Sequence, residues 1–250
     1  MEVKKTFTVN KEEFQKNFLE PINKFKAGSE FLPLYYLDGK IVVFCAHRAK
    51  ESKATIGLYI EFEPESCNLE EGDVFYVRDP AKIQKTMALL DGDRLVIRVT
   101  KSQIIADGDT RSTKYRLYDS ILASKDKSFW KPTRFATIRS IMGDGVKLDK
   151  STIETIQKAS ASITDDLAHI EYDEDTDENY IIIGDQDRDC FKLQIPHYEG
   201  FSKFSKFSKF LFNVIGRNDV NFSETTNHKM MTLTDKSELT TKYCFVAKFD

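Results

Sequence analysis

The chain has 250 residues, 31% of them charged and 40% hydrophobic, with 11 Gly and 6 Pro; that is enough for one large domain or two of about 100–150 residues, and too apolar for a disordered tail. Apolar runs such as Ile41–Ala46 and Tyr180–Ile183 fall far short of the ~18–20 residues of a bilayer span, and the charged start MEVKKTFTVNKEE lacks the apolar stretch of an export signal, so a soluble, non-exported protein is expected. A net charge of −3 excludes a uniformly positive coat and leaves the local distribution of charge to decide what the surface binds.

The first half opens with a strand over Lys4–Val9 and an amphipathic helix over Asn10–Phe25. Phe14, Phe18, Ile22 and Phe25 fall on one stripe of that helix, Asn10 with Glu13 has capping-box spacing, and Pro21 should bend or shorten it by removing a hydrogen bond. Strands follow near Leu32–Leu37, Lys40–His47 and Ala54–Phe62, the first two joined by the hairpin signal Asp38-Gly39. A second helix is expected over Asp79–Leu90, with Asp79 as N-cap, Pro80 in the first turn, Ile83, Met87 and Leu90 inward, and Lys82 and Lys85 outward. Strands near Arg94–Thr100, Ser102–Ala106 and Thr113–Tyr118 complete the half.

Between Asp119 and Pro132 periodicity lapses, as in a domain connector. The order then restarts: a strand over Arg134–Met142, a helix over Asp149–Ile163 and strands near Leu167–Tyr172, Tyr180–Gly184 and Cys190–Ile195. Strands near Lys209–Ile215, Lys229–Thr234 and Lys242–Phe249 follow. The helix buries Ile153, Ile156 and Ile163 and turns Ser151, Thr155, Lys158 and Ser162 outward, with Glu154 opposing Lys158 in their midst. Hydroxyls and lysine suit phosphate oxygens, whereas Glu154 does not, and a charged outer face is by default an ordinary solvated one. The helix starts Asn10 and Asp149 are 139 residues apart, and so are Arg78-Asp79 and Arg217-Asn218. These coincidences point to a duplicated strand–helix–sheet unit, an α+β chain of two tandem similar domains of antiparallel sheet with helices on one face: residues 1–120 and 133–250, joined by a connector at 121–132.

Catalytic and metal signatures are missing. Cys45, Cys67, Cys190 and Cys244 lack C-x-x-C spacing and read as buried thiols, and His47, His169, His197 and His228 are dispersed. The acidic run Asp173–Asp177 has Glu178 where a calcium loop needs its turn glycine. No nucleophile elbow, Walker A or dinucleotide fingerprint occurs, so a non-enzymatic protein without cofactor or metal is expected. The segment Phe201–Phe210 interleaves Phe201, Phe204, Phe207 and Phe210 with Lys203, Lys206 and Lys209. It reads either as a stacking platform for single-stranded nucleic acid or as an expanded loop whose rings partly pack on the sheet.

The paired helix starts, Asp79-Pro80, KIVVFCAH, TKYRLYD and the terminal KYCFVAKFD together resemble the DNA sliding clamps of the T-even-phage and proliferating-cell-nuclear-antigen type, over essentially the whole chain. The resemblance implies the DNA clamp fold and a homotrimeric processivity factor that encircles double-stranded DNA without sequence preference. It would be a viral or phage replication protein working in the cytosol of the infected host cell. Lysines and an arginine on the matching helices, Lys11, Lys16, Lys24, Lys82, Lys85, Lys150, Lys158 and Arg217, would face the DNA. Tails of a DNA polymerase and clamp loader would dock at Tyr36, Ile41, Val43, Leu122, Phe245, Ala247 and Phe249; Ile41 and Val43 read equally as plain core. Subunits would join between the strand carrying Thr113, Tyr115 and Leu117 and the strand carrying Cys190, Lys192 and Gln194. The competing readings are an α+β enzyme or small-ligand-binding protein with an interdomain cleft, and a single-stranded nucleic acid binder using Phe201–Phe210.

Overall fold

A computed structural model describes residues 5–25, 31–48, 55–118, 132–213 and 218–249. By its internal contacts the chain divides into two compact units, the first of residues 1–45, 59–130 and 237–241, the second of residues 46–58, 131–236 and 242–250. No helix among the described residues is long and apolar enough to cross a membrane.

In the first unit, strands β1 (Lys5–Asn10), β2 (Phe31–Leu37), β3 (Lys40–Arg48), β4 (Thr55–Phe62), β5 (Ser66–Cys67), β6 (Val74–Arg78), β7 (Arg94–Val99), β8 (Gln103–Asp107) and β9 (Ser112–Arg116) form two sheets of order β5-β1-β7-β8-β9 and β6-β2-β3-β4, β4 contributing residues 59–62. Alternation sets the faces: Phe7 and Val9 of β1 and Leu95, Ile97 and Val99 of β7 point inward. The sheets meet at a corner where the Tyr118 N–H donates to the Tyr76 carbonyl at 2.8 Å. Two helical stretches lie against them. The first runs through Lys11–Glu13, a π-helical Phe14–Leu19 and Glu20–Phe25; the second is Pro80–Met87.

The first helix buries Phe14, Phe18, Ile22 and Phe25 as the stripe requires, and Phe14 and Phe18 stack at 5.0 Å with Phe62 edge-on to both. Pro21 neither shortens nor ends it. The Glu20 N–H reaches back five residues to the Gln15 carbonyl, and this widened turn lets the helix pass the missing proline N–H and run on to Phe25. Only half of the capping box forms: Asn10 Oδ1 accepts the Glu13 N–H at 3.0 Å, whereas the Glu13 carboxylate accepts from Asn17, Ser237 and Thr240. Asp79 caps the Lys82 N–H at 3.0 Å from a left-handed backbone at φ 55°.

The second unit repeats this order. Strands β10 (Val146–Leu148), β11 (Ala168–Asp173), β12 (Glu178–Gly184), β13 (Cys190–Ile195), β14 (Phe204–Phe207), β15 (Val220–Glu224), β16 (Met230–Lys236) and β17 (Thr240–Ala247) give sheets β10-β15-β16-β17 and β14-β11-β12-β13. Strand for strand these match β1-β7-β8-β9 and β6-β2-β3-β4. The corner recurs too, with the Phe249 N–H donating to the Lys206 carbonyl at 2.8 Å. Helix Lys150–Ser162 starts on Asp149, which accepts the Thr152 N–H at 2.7 Å, and buries Ile153 and Ile156, with Ile163 only half-buried at its end.

Four expectations are corrected. Residues 132–140 form a helix, not a strand, because Pro132 sits in the first turn and the segment lacks two-residue alternation. The expected strand over Lys209–Ile215 is displaced: β14 lies earlier, and Lys209–Asn213 is a 3-10 helix in the place that Pro80–Met87 holds in the first unit. The Arg78/Arg217 coincidence therefore marks no second helix start. Asn218 instead donates its amide at 3.1 Å to Asp235, which forms a buried 2.6 Å ion pair with Lys242. Cys45 and Cys244 are buried, but Cys67 and Cys190 are exposed because each belongs to a sheet-edge strand.

Phe201 and Phe207 pack with Phe222 and Phe212, all at centroid distances of 5.3–6.1 Å, so the lysine–phenylalanine segment is largely core. Glu224 holds it in place. That carboxylate is fully buried and accepts from the Ser202 N–H (2.9 Å) and hydroxyl (2.7 Å), the Ser205 hydroxyl (3.1 Å), Lys248 (2.7 Å) and, at 3.0 Å, His228 Nδ1 when it carries a proton. Burial works to raise its pKa, but the bonds from Lys248 and Ser202 outweigh it and hold the carboxyl below its ordinary value of 4.5. Its contribution is thus complete above that ordinary value and lost as pH falls through the lower folded value. We expect Glu224→Gln to cost about 3–5 kcal/mol in urea unfolding at neutral pH, and to flatten the acid limb of a stability–pH curve.

Candidate nucleic-acid interface

In the first unit, burying Ile83, Met87 and Leu90 forces Lys82 and Lys85 onto the solvent side of their helix, and both are exposed. Asn23 of the first helix donates to Gln84, so the two helices lie side by side. The three lysines of the first helix are less available. Lys11 donates to the Leu90 carbonyl, Lys16 pairs with Glu12, and Lys24 pairs with Glu20 at 2.8 Å.

The second unit has the same arrangement. Gln157 donates to the Phe212 carbonyl at 3.0 Å, and Lys209 donates to the carbonyls of Ser160 (2.8 Å) and Ile163, a buried cation closing the helix C-terminus. Ser151, Thr155, Lys158 and Ser162 line the exposed face, with Lys150 exposed at its start. No carboxylate among the described residues pairs with Lys82, Lys85, Lys150 or Lys158. Two helical surfaces therefore carry ammonium groups outside close ion pairs together with hydroxyls, a chemistry that attracts phosphate without reading bases, opposed in the second unit by half-exposed Glu154. Arg217 lies outside the described residues.

Both strands named for subunit contact end their sheets: β9 in the first unit and β13 in the second. The Leu117 N–H donates to Ser102 and the Gly108 N–H to Arg111, so with unbroken register Thr113, Tyr115 and Leu117 turn their backbone groups to β8. It is Ser112 and Lys114 that present unpaired N–H and C=O groups, while Arg116 also turns away from β8 but lies in the Val77–Leu117 bridge to β6. Sequence reasoning passed over them, although their alternation with buried Tyr115 was the available signal. On β13 the Gly184 N–H points to Leu167, which leaves the odd residues of β12 to pair with β13 and turns Cys190, Lys192 and Gln194 outward.

The residues named for a partner tail are placed unevenly. Tyr36 stands opposite Ile41 and Leu34 opposite Val43 between β2 and β3; Ile41 and Val43 are 1% and 0% exposed, whereas Tyr36 is half-exposed with its hydroxyl 2.8 Å from Cys67 Sγ. In the second unit Phe245 is buried with its ring over Gly57, where a Cβ would come within 2.2 Å of it, while Ala247 is exposed and Phe249 half-buried. Leu122 lies outside the described residues. Of the lysine–phenylalanine segment, Phe204 is 49% exposed but Phe201, Phe207 and Lys209 are buried, so no row of stacking rings is available. Among the described residues no His/Cys/Asp/Glu group is arranged to hold a metal ion.

No family model and no curated protein matches the sequence. Solved structures do. The Entamoeba histolytica proliferating cellular nuclear antigen superposes with a TM-score of 0.70 at 13% identity, over 98% of this chain and 99% of its own. The fold is that of the DNA sliding clamps. A Helicobacter pylori beta clamp, crystallised with 3,4-difluorobenzamide, gives 0.64 at 14% identity, and a putative DNA polymerase III beta subunit from Eubacterium rectale gives 0.65 at 12%. Each is covered over 98% of this chain but 65% of its own, so this clamp-fold chain spans about two thirds of those bacterial proteins.

In the clamp fold the tip of the β8–β9 hairpin determines where edge strand β9 begins. Asp91 grips that tip by accepting from the Thr110 N–H (3.0 Å), the Thr110 hydroxyl and the Arg111 N–H (3.2 Å), bonds that pull its carboxyl down to about 2. Substituting Asp91→Ala is expected to speed amide exchange at Thr110 and Arg111 roughly tenfold. Hydrogen-exchange mass spectrometry checks this, and the difference should persist down to about pH 3, since the native carboxyl stays ionised there.

Proposed function

We propose that this chain is a DNA sliding clamp, a homotrimeric ring that encircles double-stranded DNA and tethers a polymerase. The observation that carries this is the repetition of one strand order in two units, each presenting exposed lysines outside any ion pair among the described residues: on the second helix of the first unit and on the first helix of the second, where Glu154 is the one acid between them. Residues 1–120 and 133–250 are the two clamp domains, with 121–132 as the connector. Six such domains in a closed trimer would turn Lys82, Lys85, Lys150 and Lys158 toward one central hole, with Lys11, Lys16, Lys24 and Arg217 supplying weaker or neighbouring positive charge.

A closed ring needs no tight grip. It leaves DNA only by opening or by sliding off an end, so phosphate contacts stay screened, sequence-blind and exchangeable. The work requires no bond-making step, and hence no catalytic residue. Support for partner docking comes from a Helicobacter pylori beta clamp solved bound to a DNA ligase peptide. By analogy, tails of a polymerase and a loader would dock at Tyr36, Ile41, Val43, Leu122, Phe245, Ala247 and Phe249.

Replacing Lys82→Ala together with Lys85→Ala should shorten primer-extension products several-fold while leaving the mass of the assembled ring unchanged. Processivity equal to that of the unaltered protein would remove the lining role from this helix.

A further inference from the structure

The two free sheet edges differ in charge. Between Thr110 and Tyr118 the chain carries Arg111, Lys114 and Arg116 and no acid. Arg111 is engaged with the Leu89 carbonyl at 3.0 Å, but Lys114 and Arg116 are exposed and pair with no carboxylate among the described residues. Both sit at positions whose backbone N–H and C=O point away from β8, and with Ser112 and Lys114 outside the Val77–Leu117 bridge this edge offers hydrogen bonds and positive charge together.

Edge strand β13 is the reverse. Ten carboxylates lie between Glu171 and Glu199, against Arg188 and Lys192 as the only Lys or Arg. Asp187 and Asp189 precede the strand, and Glu178 at its far end accepts from Gln194. Lys192, the one cation on the strand, is already used within its own sheet: it lies 3.6 Å from Glu171 and 4.0 Å from the centroid of the Tyr180 ring.

We propose that the β9 edge selects the β13 edge of a second copy of this chain by charge, so that ring assembly is electrostatically keyed, steered in solution and weakened by salt. This rests on the ring reading above and adds what chooses the partner. A nucleic acid would match only the basic edge and a basic protein only the acidic one. A second copy satisfies both edges, both signs of charge and both rows of unpaired backbone groups at once. Because the two edges are different surfaces, the contact is heterologous: each copy gives one edge and receives the other. In the isolated chain the same charges deter β9 from pairing with another β9 and β13 with another β13.

The test is sedimentation velocity on the full chain across a concentration series. Self-association should weaken at least roughly tenfold between about 50 mM and about 500 mM salt. The variant Lys114→Glu/Arg116→Glu should weaken it by a similar factor at low salt, Asp187→Lys/Asp189→Lys likewise, and Lys114→Gln/Arg116→Gln by less. The chain carrying all four reversals should regain part of the association, since the reversed groups again meet opposite signs; circular dichroism verifies that each variant is folded. Association indifferent to salt and to reversal, or a folded fourfold variant that stays dissociated, overturns the charge keying and leaves the ring reading standing. A native chain that remains monomeric at every concentration and salt overturns both.

Discussion

A helix lying on a sheet has one stripe that must be dry, and everything on the opposite stripe is consigned to solvent. In this protein that constraint acts twice. Ile83 and Met87 fix the rotation of one helix, Ile153 and Ile156 that of another, and in each unit the lysines on the opposite stripe are thereby turned to solvent. The fold needs no motif to build a positive surface on an acidic protein; it needs the apolar residues to be in the right places.

The helical face and the subunit edge are also linked within the first unit. Tyr115, the buried residue of β9, places its hydroxyl against Thr86 and 3.3 Å from the Ile83 carbonyl, so the edge strand is hydrogen-bonded to the helix that carries Lys82 and Lys85. Asp91 then holds the hairpin from which that strand departs. Displacing the edge would disturb the lysine face, and the reverse. In the proposed ring that link would tie the lysine face directed at DNA to the strand that meets the next copy.

The legible parts of the sequence were those governed by local rules. Asn10, Asp79 and Asp149 were readable as caps because a short oxygen-bearing side chain before an apolar stripe has few other uses. The edge strands were found because alternation survives at an edge. Where several chemistries compete, the reading failed. Pro21 argued for a bent or shortened helix, but a hydrogen bond reaching back five residues lets the helix run on to Phe25. Asn218 matched Asp79 by its 139-residue offset and instead serves the buried Asp235–Lys242 pair, a partnership set by residues far along the chain. The period-three phenylalanines matched neither helix nor strand until Ser205 proved burial-tolerant through its bond to Glu224. For Ile41, Val43 and Phe245 the sequence could not separate core from docking surface, because both demand the same apolar side chains.

The central claim is topological: the protein holds DNA by surrounding it, not by gripping it. Its most direct test assembles the protein, with its loader, on a nicked circular duplex, passes the complex through a sizing column, and then cuts the circle once. The account predicts protein co-eluting with the circle and released after the cut, as rings slide off the new ends. Equal retention on circular and linear DNA would contradict it, since only direct affinity is blind to whether the duplex has ends.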